Sequence, residues 1–121
     1  MGWRILLVED NEDTVALISL ILDQIDATYV VARNIKDGLE LAGRKKFDLI
    51  LLDNRLPDGD GTELCSNIRK FDTITPIVFC TAAAYPADKE KGLQSGANAY
   101  LIKPDDIFHL GETILELIKR K

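Results

Sequence analysis

The sequence has few cysteines, one histidine and no long apolar run, and each scarcity excludes a class of protein. The two cysteines, Cys65 and Cys80, lack CxxC spacing, so neither a disulfide framework nor a zinc site is expected. The one histidine, His109, lies away from the predicted strand ends, and we expect it at the surface. No apolar run approaches the roughly 20 residues that span a bilayer. These absences favour a cytoplasmic globular protein with reduced, buried thiols.

Length and charge limit the organisation and the partners. The chain has 121 residues, which suits a single domain over residues 1–121 and leaves little room for a second. Its formal net charge is −5 and its pI is about 4.8. An acidic chain is unsuited to the phosphate backbone of nucleic acid and to an anionic membrane surface. We therefore expect no nucleic acid binding by this domain alone and no membrane partner.

Short apolar runs alternate with amphipathic segments along the whole chain. Runs of about four apolar residues without polar alternation are typical of strands that are covered on both faces. The segments between them have helical periodicity, as in Val15, Ile18 and Leu22. Five such βα units predict an α/β fold in which helices cover both faces of a five-stranded parallel sheet. The apolar runs are residues 5–8, 29–32, 49–52, 77–80 and 100–102.

Polar side chains stand where four of these five runs end. Glu9 and Asp10 follow the first run, Asp53 the third, Thr81 the fourth and Lys103 the fifth. The carboxyl ends of parallel strands form one edge of the sheet, where open α/β folds bind their ligands. Each residue taken alone is more often a helix cap or a solvated side chain. Independent coincidences would not place all of them at one edge, so together they predict a site.

This set of side chains suits phosphoryl transfer. Carboxylates crowded at one edge repel one another, which raises their pKa values unless cations compensate. Lys103 supplies one ammonium, and a donor set made only of oxygens favours Mg²⁺. A carboxylate can attack phosphorus to form an acyl phosphate, and Lys103 and the Thr81 hydroxyl can stabilise the charge that develops. Asp53, at the end of the central third strand, is the best candidate for the nucleophile.

Four segments match a known protein family in order and in spacing. They are residues 5–11, 48–61, 76–82 and 96–104, which read ILLVEDN, DLILLDNRLPDGDG, PIVFCTA and GANAYLIKP. On these motifs the chain resembles the receiver domain of two-component response regulators, the CheY-like superfamily, over essentially its whole length. The resemblance implies a flavodoxin-like, doubly wound (βα)5 fold with the strand order 2-1-3-4-5.

The resemblance also implies roles for the residues at the strand ends. Asp53 would be the phosphoacceptor, in a Mg²⁺-dependent reaction with a histidine kinase or a histidine phosphotransfer protein. Asp10 and Asp53 would bind Mg²⁺ directly, Glu9 would act through water, and Arg55 would contribute its backbone carbonyl. Lys103 would contact the phosphoryl group, and its bond to the following proline is typically cis in the family.

Thr81 and Tyr100 match the pair of residues that couples phosphorylation to shape in this family. The hydroxyl moves toward the phosphoryl group and the aromatic ring turns inward, which biases an equilibrium between two states. The resemblance places the output surface on the fourth helix, the fifth strand and the fifth helix. A downstream effector, a fused output domain or a second copy in a homodimer would be recognised there. We expect no output domain within this chain.

Two other functions stay open: an interaction module that is never phosphorylated, and a small enzyme on the same fold, either flavodoxin-like or an aspartate-based phosphatase. An interaction module that is never phosphorylated would not need Asp53, Thr81 and Lys103 together. A small flavodoxin-like enzyme would need a phosphate loop rich in glycine and hydroxyls after the first strand, where residues 9–13 read EDNED. An aspartate-based phosphatase would need a second acid two residues after the nucleophile, where Arg55 stands. We therefore expect a signalling domain that catalyses at most its own phosphorylation and dephosphorylation.

Overall fold

Five parallel strands form the central sheet, and we number them β1 to β5 in chain order. The computed structural model describes residues 2–120, so Met1 and Lys121 of the expected domain lie outside the described residues. The spatial order β2-β1-β3-β4-β5 is the doubly wound, flavodoxin-like order that the resemblance implies. The strands are β1 (Trp3–Val8), β2 (Ala27–Ala32), β3 (Leu49–Leu52), β4 (Ile77–Thr81) and β5 (Ala99–Ile102).

A helix follows each strand, and capping groups set where two of these helices begin. Asn11 Oδ1 accepts a hydrogen bond from Thr14 N at 2.9 Å, and Asn34 Oδ1 accepts one from Asp37 N at 2.7 Å. Pro86 occupies the first turn of the fourth helix, where its missing N–H removes no helical hydrogen bond. No helix within residues 2–120 has the length and apolarity needed to cross a membrane. The helices are α1 (Glu12–Gln24), α2 (Ile35–Arg44), α3 (Gly61–Arg69), α4 (Pro86–Gln94) and α5 (Leu110–Arg120).

The sheet buries an apolar cluster on each face. One cluster joins β1 and β3 to α2 and α3 and includes Cys65, and the other joins the same strands to α1 and α5 and includes Cys80. Both cysteines are buried and free, as expected. Strands β3 and β4 are buried at every residue, which is the pattern of a strand covered on both faces. Edge strand β2, which pairs with β1 on one side alone, differs from this expectation because Thr28 and Tyr29 are exposed.

The strand register brings the polar strand ends to one edge. Val8 pairs with Leu52, and the backbone N–H of Asp53 donates to the carbonyl oxygen of Val8 at 3.0 Å. At the other side of the sheet, the backbone N–H of Lys103 donates to the carbonyl oxygen of Thr81 at 2.8 Å. All four polar strand ends therefore meet at the carboxyl edge of the sheet.

A short hairpin separates β3 from α3. Residues 55–56 pair antiparallel with residues 59–60, and Asp58 lies at the turn between them. The Asp58 carboxylate accepts hydrogen bonds from Ile35 N at 2.8 Å and from Lys36 N at 3.1 Å, so the hairpin is connected to the first turn of α2. The bond from Ile35 N lowers the pKa of Asp58. This contact fixes the segment that follows Asp53 against the body of the domain.

Candidate functional site

Carboxylates from two neighbouring strands form a cluster at the carboxyl edge. Glu9 and Asp10 follow β1, Asp53 follows β3, and one oxygen from each of the three lies within 4.8 Å of the others. Glu9 is buried at 2% exposure, whereas Asp10 is exposed and Asp53 is half-buried. The cluster therefore has a closed inner side and a side that faces solvent, where a ligand can approach. The structure brings the three predicted carboxylates together.

Lys103 binds the innermost carboxylate of the cluster. Its Nζ lies 3.0 Å from Glu9 Oε1, and the other Glu9 oxygen accepts a hydrogen bond from Asn11 N at 3.1 Å. Burial raises the pKa of Glu9 and the charge of Asp53 raises it further, while the bond from Asn11 and the ammonium of Lys103 lower it. The net effect of these contributions is a raised pKa of Glu9, so the Lys103 ammonium offsets only part of the cost of burying the Glu9 charge.

The composition of the cluster fits a divalent cation. Three carboxylates and one ammonium carry a formal charge of −2, and every carboxylate offers an oxygen ligand. Hard cations such as Mg²⁺ prefer oxygen ligands and keep several waters, which suits a cluster that is open to solvent on one side. The backbone N–H of Arg55 lies 3.4 Å from Asp53 Oδ1, and the Arg55 side chain is exposed. The acidic site is thus compatible with Mg²⁺ and with a phosphoacceptor aspartate.

The loop that carries Lys103 is held at its two ends. The Lys103–Pro104 peptide bond is cis, as the resemblance predicts. Asp106 Oδ2 accepts a hydrogen bond from Ile102 N, and Asp106 N donates to the carbonyl oxygen of Ile102, each at 2.8 Å. The sequence alone assigned no role to Asp106. The structure shows that it closes the turn on which Lys103 lies.

Thr81 and Tyr100 both contact the loop between β4 and α4. Thr81 is 1% exposed, and its Oγ1 accepts a hydrogen bond from Ala83 N at 3.2 Å. The Tyr100 hydroxyl donates to the carbonyl oxygen of Ala83 at 2.8 Å. The two residues that the resemblance pairs are therefore connected through the backbone of Ala83.

The Tyr100 ring lies inside the protein. It is 5% exposed, and its centroid lies 5.3 Å from that of Phe79. Gly92 of α4 lies against the ring, where a Cβ atom would come within 2.6 Å of Tyr100 Cδ2. Burial raises the pKa of the Tyr100 hydroxyl, so the hydroxyl keeps its proton as a donor. The side chain of Asn54, which sequence reasoning did not select, also reaches this hydroxyl, with Nδ2 at 3.2 Å.

Gly61 is a second residue that the sequence did not mark as part of the site. Its N–H donates to the carbonyl oxygen of Asn54 at 2.7 Å, and a Cβ atom there would overlap the carbonyl oxygen of Asp53. Only glycine allows α3 to begin this close to the end of β3. The signal was present in the sequence, because Gly61 is the second glycine of the PDGDG segment that closely follows Asp53.

Comparisons with known proteins agree on one family. A family model described as the response regulator receiver domain matches residues 5–115. The response regulator ArlR of Staphylococcus saprophyticus is 39% identical over 118 residues, which cover 98% of this chain and 53% of ArlR. The transcriptional regulatory protein PcoR of Escherichia coli is 38% identical over 117 residues, which cover 97% of this chain and 52% of PcoR. The chain thus spans about half the length of these curated relatives.

A solved structure is similar over nearly the whole of both chains. The receiver domain of the sensor histidine kinase PA1611 from Pseudomonas aeruginosa matches with a TM-score of 0.89 and 33% identity. The match covers 98% of this chain and 99% of that one. That crystal structure holds a magnesium ion coordinated in its active site cleft.

Proposed function

This chain belongs to the response regulator receiver domain family, and on that premise we propose that Asp53 accepts a phosphoryl group whose presence is passed on to a partner protein. The observation that carries the proposal is the carboxylate cluster of Glu9, Asp10 and Asp53, with the Lys103 ammonium on its inner side. Receiver domains of response regulators interact with histidine kinases and with output partners. We propose a histidine kinase or a histidine phosphotransfer protein as the phosphoryl donor.

In the transfer step, an Asp53 carboxylate oxygen attacks the phosphorus atom of the donor. The new O–P bond forms as the bond from phosphorus to the leaving group breaks, and the leaving group keeps the electron pair. With a phosphohistidine donor, the leaving atom is an imidazole nitrogen. Asp53 Oδ1 is oriented by the N–H of Arg55 at 3.4 Å, and its position at the end of a buried strand restricts its motion. Positioning and charge stabilisation are the main contributions that a protein makes to this reaction.

Glu9, Asp10 and Asp53 would hold Mg²⁺, together with the backbone carbonyl of Arg55. When bound, the ion neutralises negative charge on the oxygens of the transferred group. Glu9 suits an indirect contact through water, because Lys103 and the N–H of Asn11 already bind its two oxygens. The magnesium ion in the similar receiver domain of PA1611 supports this assignment.

Lys103 and Thr81 would stabilise the phosphorylated form. The Lys103 ammonium carries charge at the inner side of the cluster, and it can exchange its contact with Glu9 for one with a phosphoryl oxygen. The Thr81 hydroxyl can leave Ala83 N and donate to another phosphoryl oxygen. Because the same loop binds the Tyr100 hydroxyl, movement of Thr81 would be transmitted to Tyr100 through Ala83.

We place the output surface on α4, β5 and α5. Gly92 is the buried residue of α4, so this helix is held by few apolar side chains. Tyr85, at the start of α4, is 73% exposed, and Leu93 is 41% exposed. A helix with so little buried surface can change position at low cost when Tyr100 moves. A downstream effector, a fused output domain or a second copy would read that change.

One labelling experiment tests the proposed function. The protein is incubated with acetyl phosphate, with and without Mg²⁺, and the intact mass is measured. We expect one added phosphoryl group that requires Mg²⁺ and is absent in Asp53→Asn. Asp60→Asn, which removes an exposed carboxylate opposite Arg55 in the hairpin, should still be labelled.

The possible outcomes separate the three functions. Labelling of Asp53 without sustained consumption of the donor supports a phosphoacceptor signalling domain. Continuous turnover of acetyl phosphate in large excess over protein would indicate an enzyme instead. If neither acetyl phosphate nor a phosphorylated histidine phosphotransfer protein labels the chain, an interaction module that is never phosphorylated is the better description.

A further inference from the structure

The side chain of Asn54 connects the segment after Asp53 to Tyr100, and the proposed phosphoryl chemistry makes no use of it. Asn54 directly follows the proposed phosphoacceptor and is 7% exposed. Its Nδ2 lies 3.2 Å from the hydroxyl oxygen of Tyr100, a residue 46 positions later in the chain. A buried amide that reaches across the sheet to an aromatic hydroxyl requires an explanation beyond packing.

The direction of these hydrogen bonds follows from the number of protons available. The Tyr100 hydroxyl has a single proton, which it donates to the carbonyl oxygen of Ala83 at 2.8 Å. It can therefore only accept from Asn54, which must present its NH₂ group. The Tyr100 hydroxyl thus lies between a donor on the β3–α3 segment and an acceptor on the β4–α4 loop.

The cost of the Asn54 amide indicates that it is kept for function. Among the described residues, Asn54 Oδ1 is the buried side-chain polar atom that lacks a hydrogen-bond partner. An unsatisfied buried acceptor destabilises the folded state. A leucine, which branches at the same atom but carries no polar group, would avoid that cost and would leave the Tyr100 hydroxyl bonded to Ala83. The arrangement makes sense if the NH₂ group performs a task that an apolar side chain cannot.

The surroundings of Tyr100 show what that task can be. Apart from its hydroxyl, the Tyr100 ring lies next to the tilted ring of Phe79 and against Gly92, which has no Cβ atom. These contacts accommodate the inward ring without fixing its hydroxyl. The two hydrogen bonds to the hydroxyl supply the directional contacts, and one of them comes from the residue next to Asp53.

We infer that Asn54 is a positioning residue of the switch, which holds Tyr100 inward and connects its hydroxyl directly to the Asp53 segment. This inference rests on the proposed function of Asp53 and Tyr100. The connection acts in parallel with the one that runs from Thr81 through Ala83. Two consequences follow. The inward ring is populated before phosphorylation, and displacement of the Asp53 segment reaches Tyr100 without passing through Thr81.

The test measures the orientation of Tyr100 in the full chain. The protein is labelled with 3-fluorotyrosine and observed by ¹⁹F NMR. The chain has three tyrosines, and Tyr100→Phe identifies the resonance of Tyr100. In Asn54→Leu we expect the ratio of inward to outward Tyr100 to fall about two- to tenfold, the usual effect of one hydrogen bond. The melting temperature of the variant is measured as well, because leucine is larger than asparagine and must fit the same buried position.

Two further variants make the result specific. Asn67→Leu alters a half-buried asparagine of α3 and should leave the Tyr100 resonance unchanged. Thr81→Ala should keep Tyr100 largely inward, and the double variant with Asn54→Leu should lose the inward ring. If leucine does not fit at position 54, Asn54→Ala removes the same donor from a smaller side chain.

The outcomes distinguish this inference from the proposed function. Labelling of Asp53 by acetyl phosphate is followed by intact mass in every variant, since Asn54 gives no side-chain bond to Asp53. An unchanged Tyr100 resonance in a folded Asn54→Leu protein that is still phosphorylated would overturn the positioning role and leave the proposed function intact. If wild type is not phosphorylated but Tyr100 turns outward in Asn54→Leu, the positioning role stands and the phosphoacceptor assignment fails.

Discussion

At the scale of single residues, the site depends on how a buried negative charge is balanced. Glu9 is 2% exposed and Lys103 is its ion-pair partner at 3.0 Å, with a side chain that is 17% exposed. Removing one member of such a pair costs far more than the pair contributes, because the remaining charge stays buried without a counter-ion. The Lys103 ammonium therefore has a structural role in addition to the phosphoryl contact that we propose.

We expect Lys103→Met to lower the free energy of unfolding by about 3 kcal/mol in metal-free buffer, the lower end of the range for a broken buried pair. The lower end applies because Lys103 is partly solvated. Mg²⁺ should stabilise this variant more than it stabilises wild type, since the ion compensates the same carboxylates. Urea unfolding with EDTA and with Mg²⁺ measures both effects. Lys45→Met, at an exposed lysine, should change neither the free energy of unfolding nor its increase with Mg²⁺. Equal stability of Lys103→Met and wild type would contradict the structural role of Lys103.

Cys80 gives a prediction with a defined pH dependence. Cys80 is 2% exposed, and this burial raises the pKa of its thiol from 9.0 to about 11. The thiolate is the reactive form, so a raised pKa makes the folded protein less reactive at any pH below about 11. We expect negligible alkylation by iodoacetamide at pH 8 in the native protein and rapid alkylation in urea, as followed by mass spectrometry. Fast native labelling at pH 8 would show that Cys80 is accessible.

At the scale of elements, α4 is the helix best suited to move. Its buried residue is Gly92, and the helix packs against Tyr100 of β5 at this glycine, which has no Cβ atom. Glycine costs about 1 kcal/mol relative to alanine in a helix interior, so it is retained here for another reason. That reason is the ring of Tyr100, which occupies the space that an alanine methyl group would take.

Gly92→Ala should therefore force Tyr100 outward even though alanine is the better helix former. A Cβ at this position would lie 2.6 Å from Tyr100 Cδ2 and 2.7 Å from Cε2, so one of the two must move. The ¹⁹F resonance of Tyr100 should shift to the outward position and stay there after phosphorylation.

Gly43→Ala is the matched control for this prediction, because Gly43 lies in α2 and a Cβ atom there would be 4.0 Å from its nearest neighbour, Phe71 Cζ. It should raise stability by up to about 1 kcal/mol without changing Tyr100. An inward Tyr100 in a folded Gly92→Ala protein would show that α4 can shift to make room for the methyl group.

At the scale of the whole molecule, the site exists only in the folded sheet. Asp10 and Asp53 are 43 residues apart in the chain, and their carboxylates meet because β1 and β3 pair in register. A ligand that binds only this arrangement stabilises the fold by mass action. The melting temperature is therefore a direct measure of whether the proposed metal ligands act together.

Mg²⁺ should raise the melting temperature. The free energy of unfolding should increase by about 2.7 kcal/mol at a free Mg²⁺ concentration of 100 times the dissociation constant. Asp10→Asn should reduce the gain, because it removes a carboxylate from the cluster. Asp26→Asn is the control for charge: Asp26 lies between α1 and β2, at the opposite edge of the sheet, with a φ of 61° that asparagine tolerates. Calorimetric scans that show the same melting temperature at saturating Mg²⁺ as in EDTA would refute the assigned ligands.

The order of elements, the parallel sheet and the group of polar strand ends can all be predicted from the amino-acid sequence. These features follow from local patterns: apolar runs of about four residues define buried strands, and a polar residue directly after each run defines its end. The topology of parallel sheets then places those ends at one edge, so Glu9, Asp10, Asp53, Thr81 and Lys103 could be named without coordinates.

Which side chains contact one another at that edge, in contrast, is visible in the folded molecule alone. Lys103 binds Glu9 across 94 positions of sequence, and Asn54 reaches Tyr100 across 46. The folded structure also shows that Asp106 closes the turn that carries Lys103, and that Thr28 and Tyr29 of the edge strand are exposed. Such contacts depend on strand register and on side-chain rotamers set by packing from several elements at once. Local periodicity carries no information about them, which is why Asn54 became visible as a connecting residue only in the folded molecule.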